Sequence, residues 1–478
     1  SINSSLVESS THQSTWGTSF QWSNFAPLLG RDNAFTWGGA LSQSRIRYGQ
    51  DTYLARLVDY QMVATQNLNY GVTANGLAPS LSNLPDFSRL SNQLRGVNLD
   101  STTRDWSLYF TDTLDLTDKL KISAAGSFNV STIRQSGASN QYLNEDGGYS
   151  WTSGTGDSFY NAAYLGAYKS NGLTTALAAP AGALAGPESN SLDGSHRYHR
   201  FNPALGFNYQ IDAQTSLFGG YSEAMRAPTS VELSCANPQS PCALPTGFNG
   251  DPELQAVVSK TVELGARGRW GAKTSWNAAV FDSRLSNDIQ FIAAPNSTSF
   301  GYFANVGKTE RRGFELGAQT SVDKLFLAAN LGHVQAIYRS SFTTSEGEAV
   351  ASGNTLPGIP RNSLKLRAAY TVDPQWLLGA HLMAVSSQYA HRNESNADLS
   401  GKVAGYGVLN LDVHYRLSPE LRISAFVSNV LNKQYSTFGL SNITSLYTLA
   451  TQQFLTPAAP RAVWVGLSYS FGGKDKKS

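Results

Sequence analysis

Few residues in this chain stand at spacings that chemistry requires. Cys235 and Cys242 bound the string Ser234-Cys235-Ala236-Asn237-Pro238-Gln239-Ser240-Pro241-Cys242. They can close a small disulfide loop or remain two free thiols; a metal site would need a His or a third Cys nearby, and the string has neither. His196 and His199 are three apart, as zinc ligands can be, yet on an extended strand that spacing points them to opposite faces. There is no Ser/His/Asp order, no HExxH and no phosphate-binding Gly loop, so the sequence supports no enzyme, and no metal or cofactor is expected. The richest stretch is aromatic: Tyr142, Tyr149, Trp151, Tyr160 and Tyr164 lie among Gly, Ser and Asn. That composition suits capture of a bulky ligand by stacking and adaptable hydrogen bonds, with ordinary loop packing as the competing account. Arg226 and Arg361 are cations able to attract an anionic ligand or to border a headgroup layer.

The elements that must carry these residues follow from composition and period. Lys and Arg total 36 against 34 Asp and Glu, a net charge of +2 in 478 residues, which removes a nucleic-acid surface built on bulk charge. Charged residues are only 15% while aromatics reach 11%, too little charge for a coiled coil and too many rings for a disordered chain. No stretch approaches the ~18 consecutive apolar residues of a membrane helix; Leu173 to Ala185 is interrupted by Thr174, Thr175 and Pro180. Period two is everywhere instead. Leu205, Phe207, Tyr209 and Ile211 alternate with Gly206, Asn208 and Gln210; Leu364, Leu366, Ala368 and Tyr370 alternate with Lys365, Arg367 and Ala369. Leu409 to Tyr415 and Val463 to Phe471 repeat the pattern, and His381 and His414 share the inward parity of their strands, where solvated histidines suffice to explain them.

Short turns at Asp323-Lys324, Asp373-Pro374 and Ser418-Pro419 alternate with long polar connections at 343–360 and 391–405, and with longer ones near 51–102 and 135–196. Two-ended asymmetry of this kind belongs to an outer-membrane barrel, with tight periplasmic turns and long external loops. A soluble sandwich, propeller or β-helix would also alternate, but its strands are usually shorter. Trp270, Trp376, Tyr389, Tyr406, Tyr435 and Phe471 fall near strand ends, where an aromatic girdle would lie. The pattern predicts roughly 15 spanning strands.

Four strings resemble the barrel of TonB-dependent outer-membrane receptors. They are Tyr221-Ser222-Glu223-Ala224-Met225-Arg226-Ala227-Pro228-Thr229, then Asp251-Pro252-Glu253-Leu254 with Glu263 and Gly265, then Asn305-Val306-Gly307-Lys308 with Arg312-Gly313-Phe314-Glu315-Leu316, and Asn429-Val430-Leu431-Asn432-Lys433-Gln434-Tyr435 ending at Gly439. The resemblance runs from about Asp105 to Phe471 and departs from the family at Gln255-Ala256-Val257. It implies an all-β, transmembrane antiparallel β-barrel with short periplasmic turns and long extracellular loops, about 15 of the family's ~22 strands, with the plug absent. The expected organisation is a partial barrel over residues 1–471 and a polar C-terminal extension over 472–478. The implied function is energy-coupled uptake of a large scarce nutrient, a ferric siderophore first among candidates, in the outer membrane of a Gram-negative bacterium; a plugless passive porin or structural barrel is the alternative. Implied partners are outer-membrane lipid, the barrel assembly machinery, a small ligand such as an iron chelate, and TonB acting through a missing N-terminal plug segment. Tyr469 and Phe471 are the expected assembly signal. In that oxidising compartment the Cys235–Cys242 disulfide is expected, worth about 2.5 kcal/mol.

Overall fold

The computed structural model describes residues 4–58, 61–64, 93–141, 188–236, 242–243, 254–293, 300–344, 347–397, 401–443 and 451–471. Its main sheet has 17 strands. Two of them, Gln61–Ala64 and Glu188–Ser191, are short pieces within loops, which leaves fifteen. In chain order these are β1 Ser4–Asn24, β2 Asn33–Val58, β3 Gln93–Asp115, β4 Leu120–Gln141, β5 Gly194–Gln210, β6 Thr215–Arg226, β7 Val257–Trp270, β8 Thr274–Ser286, β9 Thr309–Val322, β10 Leu325–Tyr338, β11 Asn362–Thr371, β12 Trp376–Val385, β13 Tyr406–Arg416, β14 Leu421–Ser428 and β15 Ala462–Tyr469. Each pairs antiparallel with the next, so the sheet is a single meander of hairpins whose short turns all fall at one end and whose long loops all fall at the other.

Four of the short turns share one device, while those at Gly271 and Asp323 reverse through a positive φ. Thr117, Asp212, Asp373 and Ser418 each present a side-chain oxygen to the backbone N–H groups two and three residues on, as when Asp373 Oδ1 accepts from Gln375 N at 2.7 Å and Trp376 N at 2.8 Å. Such a side chain supplies the hydrogen bonds that a strand ladder loses where the chain reverses.

Side-chain direction is inverted relative to a soluble sheet. Leu205, Phe207 and Tyr209 on β5, Val262 and Leu264 on β7, and Leu366 and Tyr370 on β11 stand exposed on the outer face, while Arg367, Asp412 and Asn330 line the inner one. A continuous exposed apolar face of this size is tolerable only against lipid. The buried apolar residues sit instead at the loop end, where loops fold over the inner face of the strands.

The expected loop boundaries change. The long connections begin later than the apolar alternation suggests, because β2 continues to Val58, β3 starts at Gln93, and β4 and β5 extend to Gln141 and Gly194. Backbone pairing persists there although the outward residues have turned polar, since a strand above the lipid needs its hydrogen bonds and not its apolar face. Gly219 faces outward beneath the Phe207 ring, in register with Phe207 and Leu264. Glu310, in line with Phe314 and Leu316 on the outer face of β9, is nonetheless buried between Arg284 and Arg339.

Candidate ligand vestibule and lumen wall

The strings that carry the family resemblance prove to be brackets fastening loops to strand ends. At the exit from β6, Thr229 caps a one-turn helix, Ser230–Leu233, with a reciprocal capping box: Glu232 N donates to Thr229 Oγ1 at 3.2 Å and Thr229 N donates to the Glu232 carboxylate at 2.7 Å. The same carboxylate takes two bonds from Arg226, at 2.7 and 3.1 Å, so the Arg226 charge is neutralised within its own loop. Leu233 and Cys235 are thereby pressed inward, Leu233 against Ile133, Leu254 and Ile289, and Cys235 against Val97, Leu99 and Leu192. Cys235 is disulfide-bonded, and the one other cysteine of the sequence is Cys242. Asn305 holds two segments at once, accepting from Gln255 N at 2.9 Å and donating to Asn287 O at 2.7 Å. Thr309 and Arg311 converge on the buried Asp288, at 2.7 and 3.4 Å. Asn429 and Asn432, both at positive φ, tie 429–433 to 459–461. Asn is suited to that role because it tolerates the left-handed region and has both a donor and an acceptor.

The described loop segments are thus packed into a rim at the loop end of the wall, the candidate edge of a ligand vestibule. Arg361 stands on it, exposed, with its guanidinium reaching Thr355 Oγ1 at 3.4 Å. Tyr142, Tyr149, Trp151, Tyr160 and Tyr164 lie outside the described residues. His196 and His199 fall on opposite faces of β5, His196 stacked on Tyr198 and His199 beside Phe128 on the outer side. Among the described residues no group of His, Cys, Asp and Glu is arranged to hold a metal.

Below the rim, alternation left a cluster unrecognised. Arg367 on β11 forms a bidentate ion pair with Asp412 on β13, crossing the whole width of β12. Gly379 stands opposite Asp412 on the strand between, and a Cβ there would collide with both the guanidinium and the carboxylate. This glycine makes room for an ion pair. His381 Nε2 and His414 Nε2 reach the same carboxylate at 3.3 and 3.2 Å, and His414 Nδ1 meets Ser424 Oγ at 2.8 Å. The shared inward parity of Arg367, His381, Asp412 and His414 was the available signal; their meeting depends on register and on Gly379. Together they line a cavity of about 350 Å³ in the inner wall. A second stretch of wall toward the turns, with Arg267, Asn277, Gln319 and Asn330, is likewise polar.

Residues 3–430 match the model of the TonB dependent receptor-like β-barrel. The chain belongs to this family. Among curated relatives it is 21% identical over 271 residues to the metal-pseudopaline receptor CntO of Pseudomonas aeruginosa, and 22% identical over 223 residues to the probable TonB-dependent siderophore receptor PiuA of Acinetobacter baumannii. The matches cover 56% and 44% of this chain but 33% and 28% of those proteins, so the chain matches about a third of their length. Among solved structures, the ferric yersiniabactin uptake receptor FyuA of Yersinia pestis superposes with a TM-score of 0.63 at 13% identity, covering 98% of this chain and 56% of FyuA. The siderophore receptor PiuA of A. baumannii gives 0.54 at 14%, covering 97% and 62%. These likenesses are of fold. The family is one of outer-membrane transport receptors, and the outward apolar face fits that setting.

Proposed function

We propose that this chain is the greater part of the wall of an outer-membrane receptor that takes up a metal chelate of the ferric-siderophore class, with energy from TonB delivered through a plug segment lying outside these residues. The observation that carries the reading is family membership across residues 3–430 together with loops bracketed into a rim above a polar inner wall. The names of FyuA, CntO and PiuA, all receptors for metal chelates or siderophores, support the substrate class. Aromatic side chains of residues 142–164 and Arg361 are the proposed ligand contacts, and Arg226 serves the site through its loop.

Strand direction supports the partial-wall reading. Both β1 and β15 run from the loop end to the turn end, and among the described residues each has a single partner strand. Antiparallel closure therefore needs an odd number of further strands, as completion to about 22 would supply. The test is uptake of a panel of radiolabelled ferric chelates by iron-starved cells expressing the full-length protein. Accumulation of one chelate that vanishes on deletion of TonB or collapse of the proton gradient is the expected result. Entry that persists without TonB would establish the passive pore instead.

A further inference from the structure

On the outer face of β2 to β5 the apolar band ends abruptly in arginine. Leu41, Trp106 and Val130 share one cross-strand row, with Leu108, Phe128 and Phe201 below them. In the next row toward the loops stand Arg104 and Arg197, in the one after it Arg45 and Arg134, and then Arg47. All five are exposed on the lipid-facing side. Asp100 accepts from Arg45 Nε at 3.0 Å and Arg47 Nε at 3.3 Å, and the Asp193 carboxylate at the loop end of the patch accepts from Gly137 N at 3.1 Å. Arg104 donates to Gln43 Oε1 at 2.7 Å, while Arg134 and Arg197 have no carboxylate partner among the described residues. Further round the wall Lys260 is matched by Glu223 and Arg284 by Asp282 and Glu310, and Arg312, bonded to Gln335, stands singly rather than in a cluster. The next outward carboxylates of β1 and β2, Glu8 and Asp51, pair with each other in register two rows beyond Arg47.

We infer that this patch binds a phosphorylated glycolipid of the outer leaflet. The inference rests on the outer-membrane orientation of the proposed function, which puts the loop end outside. Guanidinium forks match phosphate oxygens bidentately, and cations directly above an aromatic row stand at headgroup depth. Rows about 7 Å apart offer separate seats for two phosphates on one headgroup. Gln43, Thr102, Thr132, Ser136 and Ser195 alternate with the arginines across the rows and supply the neutral donors and acceptors that sugar hydroxyls need. A phospholipid with one phosphate and a short glycerol would use neither feature fully.

The test takes the full-length protein in mild detergent and measures binding of lipid A by native mass spectrometry, beside dephosphorylated lipid A and phosphatidylglycerol. The triple variant Arg104→Gln, Arg134→Gln, Arg197→Gln should lose affinity for lipid A on the order of a hundredfold, and the corresponding triple Lys variant should keep most of it. Heat-modifiable gel mobility of the same samples counts folded barrels, and single Gln variants replace the triple if it assembles poorly. Equal binding of phosphatidylglycerol or of dephosphorylated lipid A, or an unaltered affinity in the Gln variants, would overturn the proposal. Membrane fractionation and TonB-dependent uptake are scored separately, so a failed transport reading is recognisable whatever the lipid result.

Discussion

Arg367 reaches Asp412 only because the strand between them carries a glycine at the crossing point. Replacing Asp412 with Asn leaves the guanidinium, less than a quarter exposed, beside a neutral amide. A loss of about 1–3 kcal/mol is expected, read as a lowered midpoint of heat-modifiable mobility. Gly379→Val should give a loss of the same order by forcing the pair apart, and a double variant should add little to either single change. If Gly379→Val is neutral, the cluster is not a structural unit. The cysteines lead to a different expectation. Unreduced peptides should show Cys235 joined to Cys242, and reduction should cost about 2.5 kcal/mol at the loop without unfolding the wall. Mass spectrometry finding two alkylatable thiols would reject the pairing.

Short turns and long loops make opposite use of polar side chains. At four of the turns a single oxygen does the work, so Asp373→Ala should cost about 1 kcal/mol and slow formation of the β11–β12 hairpin, measured by refolding into detergent micelles. Between the long loops polarity is buried. Asn354 Nδ2 donates to Glu394 O at 3.2 Å and Ser395 O at 2.8 Å, Asn396 bonds the backbone of Thr355, and Ser395 donates to the Glu348 carboxylate. Burial, with Glu348 adding repulsion, raises the Glu394 carboxyl to about 7 from an ordinary 4.5. A raised acid binds its proton more tightly in the folded loop, so this group's destabilisation is absent below pH 4.5, grows as pH climbs toward 7 and is complete above it. His391, held below its ordinary 6.5 by burial, acts in the opposite direction: the stability it contributes is full above 6.5 and is lost as pH falls through its folded value. Glu394→Gln isolates the first effect. Protection factors of the amides of 347–361 and 386–397, taken after division by the intrinsic base-catalysed rate, should fall between pH 5 and 8 in the native protein, and much less in the variant.

At the scale of the whole molecule the two edge strands dominate. Val463, Val465 and Leu467 on β15 are 64%, 74% and 71% exposed, more than their counterparts on strands flanked on both sides. An edge in lipid leaves a row of backbone groups unsatisfied, so assembly must supply the neighbours before the wall is stable. Tyr469 and Phe471, their rings 4.7 Å apart at the end of β15, stand where an assembly machine would grasp the strand. Replacing both with Ser should lower the amount of folded protein in the outer membrane several-fold on immunoblots of heat-modifiable species. Unchanged amounts would move the signal into residues 472–478.

Alternation alone determined a great deal about this protein. Because lipid demands an apolar residue at every second position and turns demand Asp, Ser, Gly or Pro, the fifteen strands, their inside and outside, and the two unlike ends are all local properties of the chain. The same logic misplaced the outer ends of β2 to β5, since strand pairing above the membrane leaves no apolar trace. It was silent on Arg367 and Asp412, which lie far apart in sequence and on strands that are not neighbours. Their meeting was decided by the register of β11, β12 and β13 and by the missing side chain at Gly379. Tertiary structure likewise decided that Arg226 is spent on Glu232, and that five arginines scattered from position 45 to 197 stand together. Cross-strand register is a long-range quantity, set by the hydrogen-bond ladder of the whole sheet.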